Sequence, residues 1–212
     1  MTFIFYLVSV FVIIFVSMVL HEIAHGVVAY SLGDDTAKQS GRLSLNPLRH
    51  IDPFLTIGMP MLLAIFNLFG ANLPIFGGAK PVPVNTMRLK WGEYGLALVS
   101  IAGPLTNFIL AFIFFALMMV SYGEVSAFCL LGVQINLGFC VFNLIPIPPL
   151  DGSRVLFAIA PDGIRKFMMK IEQMGLMIVF ILLIFFSGAF GSLMSSAINA
   201  IFDLFSLIFG VK

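Results

Sequence analysis

The chain has 212 residues, of which 60% are hydrophobic, 24 are Phe and only 10% are charged, with a formal net charge of +1. With a mean hydropathy of +1.10, this composition lies far outside that of soluble domains and belongs in a lipid bilayer. So small a net charge offers no global field to recruit nucleic acid or an acidic substrate, and no nucleic-acid partner is expected.

Residues 3 to 31 form the first apolar segment. Its start, MTFIFYLVSVFVIIFVSMVL, has neither a basic leader region nor a small-residue cleavage site, so it reads as a retained transmembrane helix. A bilayer needs about 20 helical residues, so this helix has turns to spare before the polar stretch DDTAKQSGRLSLNPLRHIDP. Residues 54 to 70 are apolar again, but Pro60 lies mid-run, Gly58 and Gly70 flank it and Asn67 lies inside, which suits a segment that spans or one that only dips in. The following NLPIFGGAKPVPVN favours extended chain. Residues 36–45 and 80–85 are candidates for short surface strands offering an edge to an unwound peptide, or else are connecting loops.

A second helix is expected from about residue 91 to 120 and a third from about 125 to 145, separated by the short turn SYGE. IPIPPLDG breaks the third helix, residues 153–173 are mixed and basic, and residues 174–210 read as two short spans separated by SGAFGS. The expected fold is an all-α polytopic membrane protein with about five transmembrane helices, a re-entrant segment and candidate short surface strands. It is read as one domain over residues 1–212, with a core at about 3–155 and C-terminal helices at about 174–210. The basic run Arg165-Lys166 with Lys170, like Arg49 and His50, reads first as contact with lipid headgroups.

HEIAH puts His21 and His25 one helical turn apart on one face with Glu22 beside them, the spacing zinc needs for two imidazoles and a neighbouring base. The same pattern recurs by chance in unrelated helices. Here, however, the three residues sit in a segment otherwise free of ionisable groups, where each carries a desolvation cost of order a few kcal/mol and so marks function.

A catalytic zinc takes three protein ligands, and the candidates for the third are Asp151, His50, Asp52, Glu93, Glu124, Cys129 and Cys140. The two cysteines lie roughly 16 Å apart along one helix without metal-site spacing, and read as packing residues. Asp151 ends a proline-rigid, unwound stretch that persists in a membrane only beside protein or a wet cavity. It could equally be an N-cap for the helix starting near Ser153, and the two roles are compatible. Ser100, Gly103 and Asn107 share one face of the second helix, where small residues allow close approach and an amide can bond a neighbouring helix.

Depth constrains topology. His21 and His25 lie roughly 20 and 14 Å along the helix from the loop at Asp34, and Asp151 must reach that level to join them. A full crossing by 54–70 would deliver Asp151 to the wrong side. A re-entrant 54–70 instead brings the loops at 34–53, 71–90 and 146–173 to one side, together with the chain's basic residues, including Lys212 if the C-terminal pair is a hairpin turning near Gly191. The positive-inside rule makes that side cytoplasmic, so the expectation is a multi-pass cell-membrane protein with its N-terminus outside and the metal site nearer the cytoplasmic face.

HEIAH, GPLTN at 103–107 and NLIPIPPLDG at 143–152 together resemble the site-2 protease family of intramembrane zinc metalloproteases, over roughly residues 8 to 155. GRLSLNPLRHIDP at 41–53, AKPVPVN at 79–85 and the lack of a PDZ or CBS insertion make the chain similar to the minimal prokaryotic members. The resemblance implies that His21, His25 and Asp151 hold one Zn2+ per chain, that Glu22 is the general acid/base, and that Asn107 stands near the substrate carbonyl as an oxyanion donor. It implies a transmembrane protein substrate in the lipid bilayer; oligomeric state has no signal in the sequence. The rival classes are a non-proteolytic metal-binding scaffold or transporter, in which Glu22 has no obvious purpose, and a membrane zinc hydrolase acting on something other than a peptide.

Overall fold

A computed structural model describes residues 3–58, 78–175 and 187–211 without interruption, and between these blocks residues 61, 62, 65, 68, 177–179 and 181. Its helices are Phe3–Ser31 (α1), the short Thr36–Gln39 (α2), Glu93–Val120 (α3), Gly123–Asn143 (α4), Asp151–Ile159 (α5), Asp162–Gln173 (α6) and Ser187–Ile208 (α7). Backbone amides and carbonyls have no water to bond in a hydrocarbon core, so an apolar chain of this composition satisfies them within helices. Among the described residues, α1, α3, α4 and residues 191–208 of α7 are long and apolar enough to cross a membrane.

Helix α3 organises the bundle, packing against α1, α4 and α5. Close approach is set by small residues, as expected where no hydrophobic force drives helices together in lipid. A Cβ on Gly132 of α4 would lie 2.5 Å from the ring of Phe114 on α3. Between α3 and α7, Phe115–Phe202, Phe112–Phe205 and Phe108–Phe205 meet edge to face with ring centroids 5.1, 5.2 and 5.3 Å apart.

The end of α1 and the start of α3 are tied together directly. Lys90 N–H donates to the Leu32 carbonyl at 2.8 Å, Asn85 N–H to Asp34 Oδ2 at 2.6 Å, and Arg88 pairs with Asp35 at 2.5 Å. Residues 33–89 therefore leave and rejoin the same end of α1. This return is what the re-entrant expectation for 54–70 requires; about half of that segment lies outside the described residues.

Several expectations change. No strand occurs among the described residues: 36–39 form the helical turn α2, and 80–85 are extended without a ladder because their amides bond side chains and a loop carbonyl. SGAFGS is no turn but the first part of α7, consistent with the tolerance of glycine in helices that lipid forces to bond internally. The span expected between residue 174 and SGAFGS falls about half outside the described residues. Residues 153–173, mixed in sequence, lie in the two short helices α5 and α6, joined by a pair between Arg154 and Glu172.

Asp34 is the knot of the α1–α3 junction. It is fully buried and accepts from Thr36 N–H at 3.1 Å, Thr36 Oγ1 at 2.5 Å and Asn85 N–H. Burial pushes its carboxyl up, but the donors from Thr36 and Asn85, with Arg88 nearby, outweigh this and hold it below 3.8. A depressed carboxyl stabilises the fold above its unfolded pKa, and that contribution is lost as pH falls through the folded value. Asp34→Ala should lower stability by about 3 kcal/mol by orphaning these donors; thermal unfolding in detergent at pH 7, compared with acid pH where the difference should shrink, measures it.

Candidate metal centre

Three side chains from distant parts of the chain converge beside α3. His21 and His25, 8% and 9% exposed, come from successive turns of α1, and Asp151 opens α5. Their nearest atoms form a triangle: His21 Nε2 to His25 Nε2 is 3.0 Å, and Asp151 Oδ2 lies 3.2 Å from the first and 3.3 Å from the second. Asp151 is not a cap, since the N-cap is Leu150 and no side-chain capping bond is made. Oδ2 is buried with no hydrogen-bond partner.

The protons of this site can be placed from its surroundings. His25 Nδ1 is 2.7 Å from the Val99 carbonyl, which only accepts, so the ring carries its proton there and Nε2 presents a lone pair. His21 Nδ1 is 2.6 Å from Asn107 Oδ1. The orientation of that amide is set further back: Asn136 Nδ2 donates to the Gly132 carbonyl at 2.9 Å, so its Oδ1 accepts from Asn107 Nδ2 at 3.0 Å. Asn107 Oδ1 is thereby left for His21 Nδ1–H, so in the neutral ring His21 Nε2 likewise presents a lone pair. Two lone pairs and a carboxylate oxygen so close together repel unless a cation sits among them.

The triangle fits that cation. Tetrahedral zinc with bonds of about 2.0–2.1 Å has ligand-to-ligand edges of about 3.3 Å, close to the observed sides. Room is made by Gly103, whose hypothetical Cβ would stand 2.5 Å from both His21 Nε2 and His25 Nε2. Gly152 plays the same part behind Asp151: a Cβ there would strike the carbonyls of Leu144 and Ile145, so only glycine lets α5 begin against the end of α4. Each histidine is oriented by an oxygen on its far nitrogen, the usual support of a metal-binding imidazole.

Glu22 stands beside the triangle without belonging to it. Its Oε2 accepts Val82 N–H at 2.9 Å, from the extended segment 79–85. Asn107 is fully buried, and its amide is held by His21 on one side and Asn136 on the other. This is the interhelical bond that its position on α3 suggested. Of the other candidate ligands, none joins the cluster among the described residues. His50 is buried elsewhere against the Ser44 carbonyl, and Cys129 and Cys140 are buried free thiols within α4.

Asn136 and the Val99 carbonyl were missed in the sequence, and Gly103 was read as allowing close helix approach rather than as making room for the two rings. Asn136 carried a signal, being an amide inside an otherwise apolar spanning helix. A backbone carbonyl carries none.

Residues 119–186 match the model of peptidase family M50, a stretch that includes Asp151 but not HEIAH. Over 92% of this chain and 89% of the relative, the sequence is 39% identical to "Putative zinc metalloprotease YwhC" of Bacillus subtilis. It is 34% identical to "Putative zinc metalloprotease Rip2" of Mycolicibacterium smegmatis, over 79% of the chain and 63% of that relative. Against the protein of the same name in Mycobacterium tuberculosis, strain H37Rv, it is 32% identical over 89% of the chain and 71% of the relative. No solved structure matches the chain.

Removing the far end of the amide chain should loosen metal without touching a ligand. Asn136→Leu is expected to lower zinc affinity about 10- to 100-fold, measured by competition with a chromogenic chelator. Gly103→Ala should weaken it further by filling the space between the two Nε2 atoms.

Proposed function

The chain belongs to peptidase family M50, with relatives that bear the name zinc metalloprotease, and from that premise we propose that it cuts transmembrane protein substrates within or beside the bilayer, on one zinc held by His21, His25 and Asp151. The observation that carries this reading is the triangle of two lone-pair nitrogens and an otherwise unpartnered carboxylate oxygen, at the spacing of a tetrahedral zinc face.

Zinc held by His21, His25 and Asp151 would supply Lewis acidity toward water and the scissile carbonyl. The protein's own part falls first to Glu22. Its carboxylate takes the proton of the attacking water and returns it to the leaving amine, so one group serves as base and then acid. Val82 N–H fixes Oε2 and leaves Oε1 without a partner among the described residues. Asn107 we assign as a positioning residue that holds the His21 ring. The oxyanion role implied by the family resemblance would need its remaining amide hydrogen to reach substrate from a fully buried side chain.

A substrate helix hides its peptide bonds in its own hydrogen bonds, and must unwind before a carbonyl can reach the site. Substrates with Gly, Pro or Asn near the cut are therefore preferred. We assign residues 3–155 as the catalytic core of a single unit, with α7 packed on it. The N-terminus is outside and the metal site nearer the cytoplasm, because the basic residues of the loops at 34–53, 78–92 and 146–173 gather on the side where α1 ends and α3 begins.

Two variants test the assignment. Asp151→Ala should lose zinc in detergent-purified protein that still unfolds cooperatively, whereas wild type holds about one per chain. Glu22→Gln should keep the metal, because Gln still accepts from Val82 N–H, yet cut a transmembrane reporter about 10²- to 10⁴-fold more slowly. Zinc content indifferent to Asp151, or zinc-loaded wild type that cuts no peptide, would move the reading to a metal-binding scaffold.

A further inference from the structure

Away from the metal centre, a shallow cavity of about 340 Å³ is lined by Arg42, Arg49 and Lys80 together with Gly41, Leu48 and Ile51. No carboxylate lines it. Arg42 is only 8% exposed and donates to the Arg49 carbonyl, while Arg49 Nη1 donates to the Gly41 carbonyl at 2.8 Å. Lys80 makes no side-chain bond among the described residues. Each guanidinium thus spends one of its five donors on a main-chain oxygen, which holds it in place and leaves the rest.

Nearby acids are already committed. Asp34 serves Thr36 and Asn85, Asp35 serves Arg88 and Gln39, and Asp52 accepts from Phe54 N–H at 2.9 Å. Residues 59–77 contain no Asp or Glu in their sequence. Three cations, one nearly buried, therefore share a cavity without a protein counter-charge, an arrangement that is costly until an anion neutralises it. The setting indicates which anion: Leu48, 73% exposed, lines the cavity with Ile51 on a multi-pass membrane protein, and apolar side chains beside a basic pocket suit the headgroup layer.

We propose that Arg42, Arg49 and Lys80 form a binding site for a phosphate-type oxyanion, supplied at the membrane surface by the headgroup of an anionic phospholipid. Arginine forks match phosphate oxygens in pairs, and Lys80 adds a mobile point charge. The bound phosphate bridges two pieces of chain that already touch, since Lys80 N–H donates to the His50 carbonyl at 2.9 Å. Two residues beyond Lys80, Val82 donates to Glu22, so the site anchors the segment that holds that carboxylate. The proposal stands whether or not the protein cuts transmembrane substrates.

The test uses delipidated full-length protein in neutral detergent, titrated with short-chain phosphatidylglycerol, phosphatidylcholine of equal chain length, or inorganic phosphate, with bound molecules counted by native mass spectrometry. Phosphatidylglycerol should bind at least about tenfold more tightly than phosphatidylcholine, weakening with added salt. Lys80→Glu should abolish that preference while the unliganded protein keeps its melting temperature, and Arg49→Gln should reduce it about fivefold or more. Failure of inorganic phosphate to displace the lipid supports the headgroup as ligand. Displacement by phosphate at similar concentration keeps the oxyanion site but overturns the lipid assignment. Equal binding of the two lipids with no phosphate binding, or a preference untouched in Lys80→Glu, overturns the site itself.

Discussion

Two imidazole nitrogens and a carboxylate oxygen meet within 3.3 Å of one another inside an apolar bundle, while the Nδ1 of each ring faces an oxygen on its far side. With both rings neutral, these lone pairs repel one another in a medium of low dielectric. A divalent cation at the centre would make the contact favourable, and metal and fold would then stabilise each other. The arrangement of α1, α3 and α5 follows from maintaining this contact. Helix α1 brings both rings from adjacent turns. The start of α5 brings the carboxylate, pressed inward where Gly152 lets it meet the end of α4.

Helix α3 supplies everything else the rings need, at intervals of four residues on one face. The Val99 carbonyl holds His25, the bare backbone at Gly103 leaves space for the paired Nε2 atoms, and Asn107 holds His21. Because α1 and α3 run in opposite directions, the later histidine meets the earlier residue of α3. Asn136 on α4 completes the set by deciding which end of the Asn107 amide faces the ring. Three helices thus determine one tautomer, and with it which nitrogen is available to a metal.

The parts of this site that were legible in the sequence are those encoded locally. HEIAH carries its own geometry, because a helix puts positions four apart on one face. Asp151 was legible through its proline-rich setting and through the depth at which the histidines sit. The ends of α3 and α4 were recovered to within two residues, since loss of apolar character marks them sharply. What was hidden depends on pairing between remote segments: the Val99 carbonyl, the amide chain through Asn136, and the hold of Val82 on Glu22. The helical character of SGAFGS was hidden for another reason, because its small polar residues read as a turn in water but stay helical where water is scarce.

The segment 79–85 joins these strands of argument. Pro81 and Pro83 have no amide hydrogen, so along one edge of this extended stretch two positions offer only acceptors. The opposite edge carries Lys80, Val82 and Val84, and its first two amides are already used, by the His50 carbonyl and by Glu22. A ladder strand needs donors and acceptors on the same edge, which explains why an alternating, β-like sequence forms no sheet among the described residues. The prolines hold the chain extended without an entropic penalty at folding and leave Val82 N–H as the lone donor between them. That donor is spent on the carboxylate beside the metal centre, so the alternation of proline and valine serves to hold Glu22 rather than to build a strand.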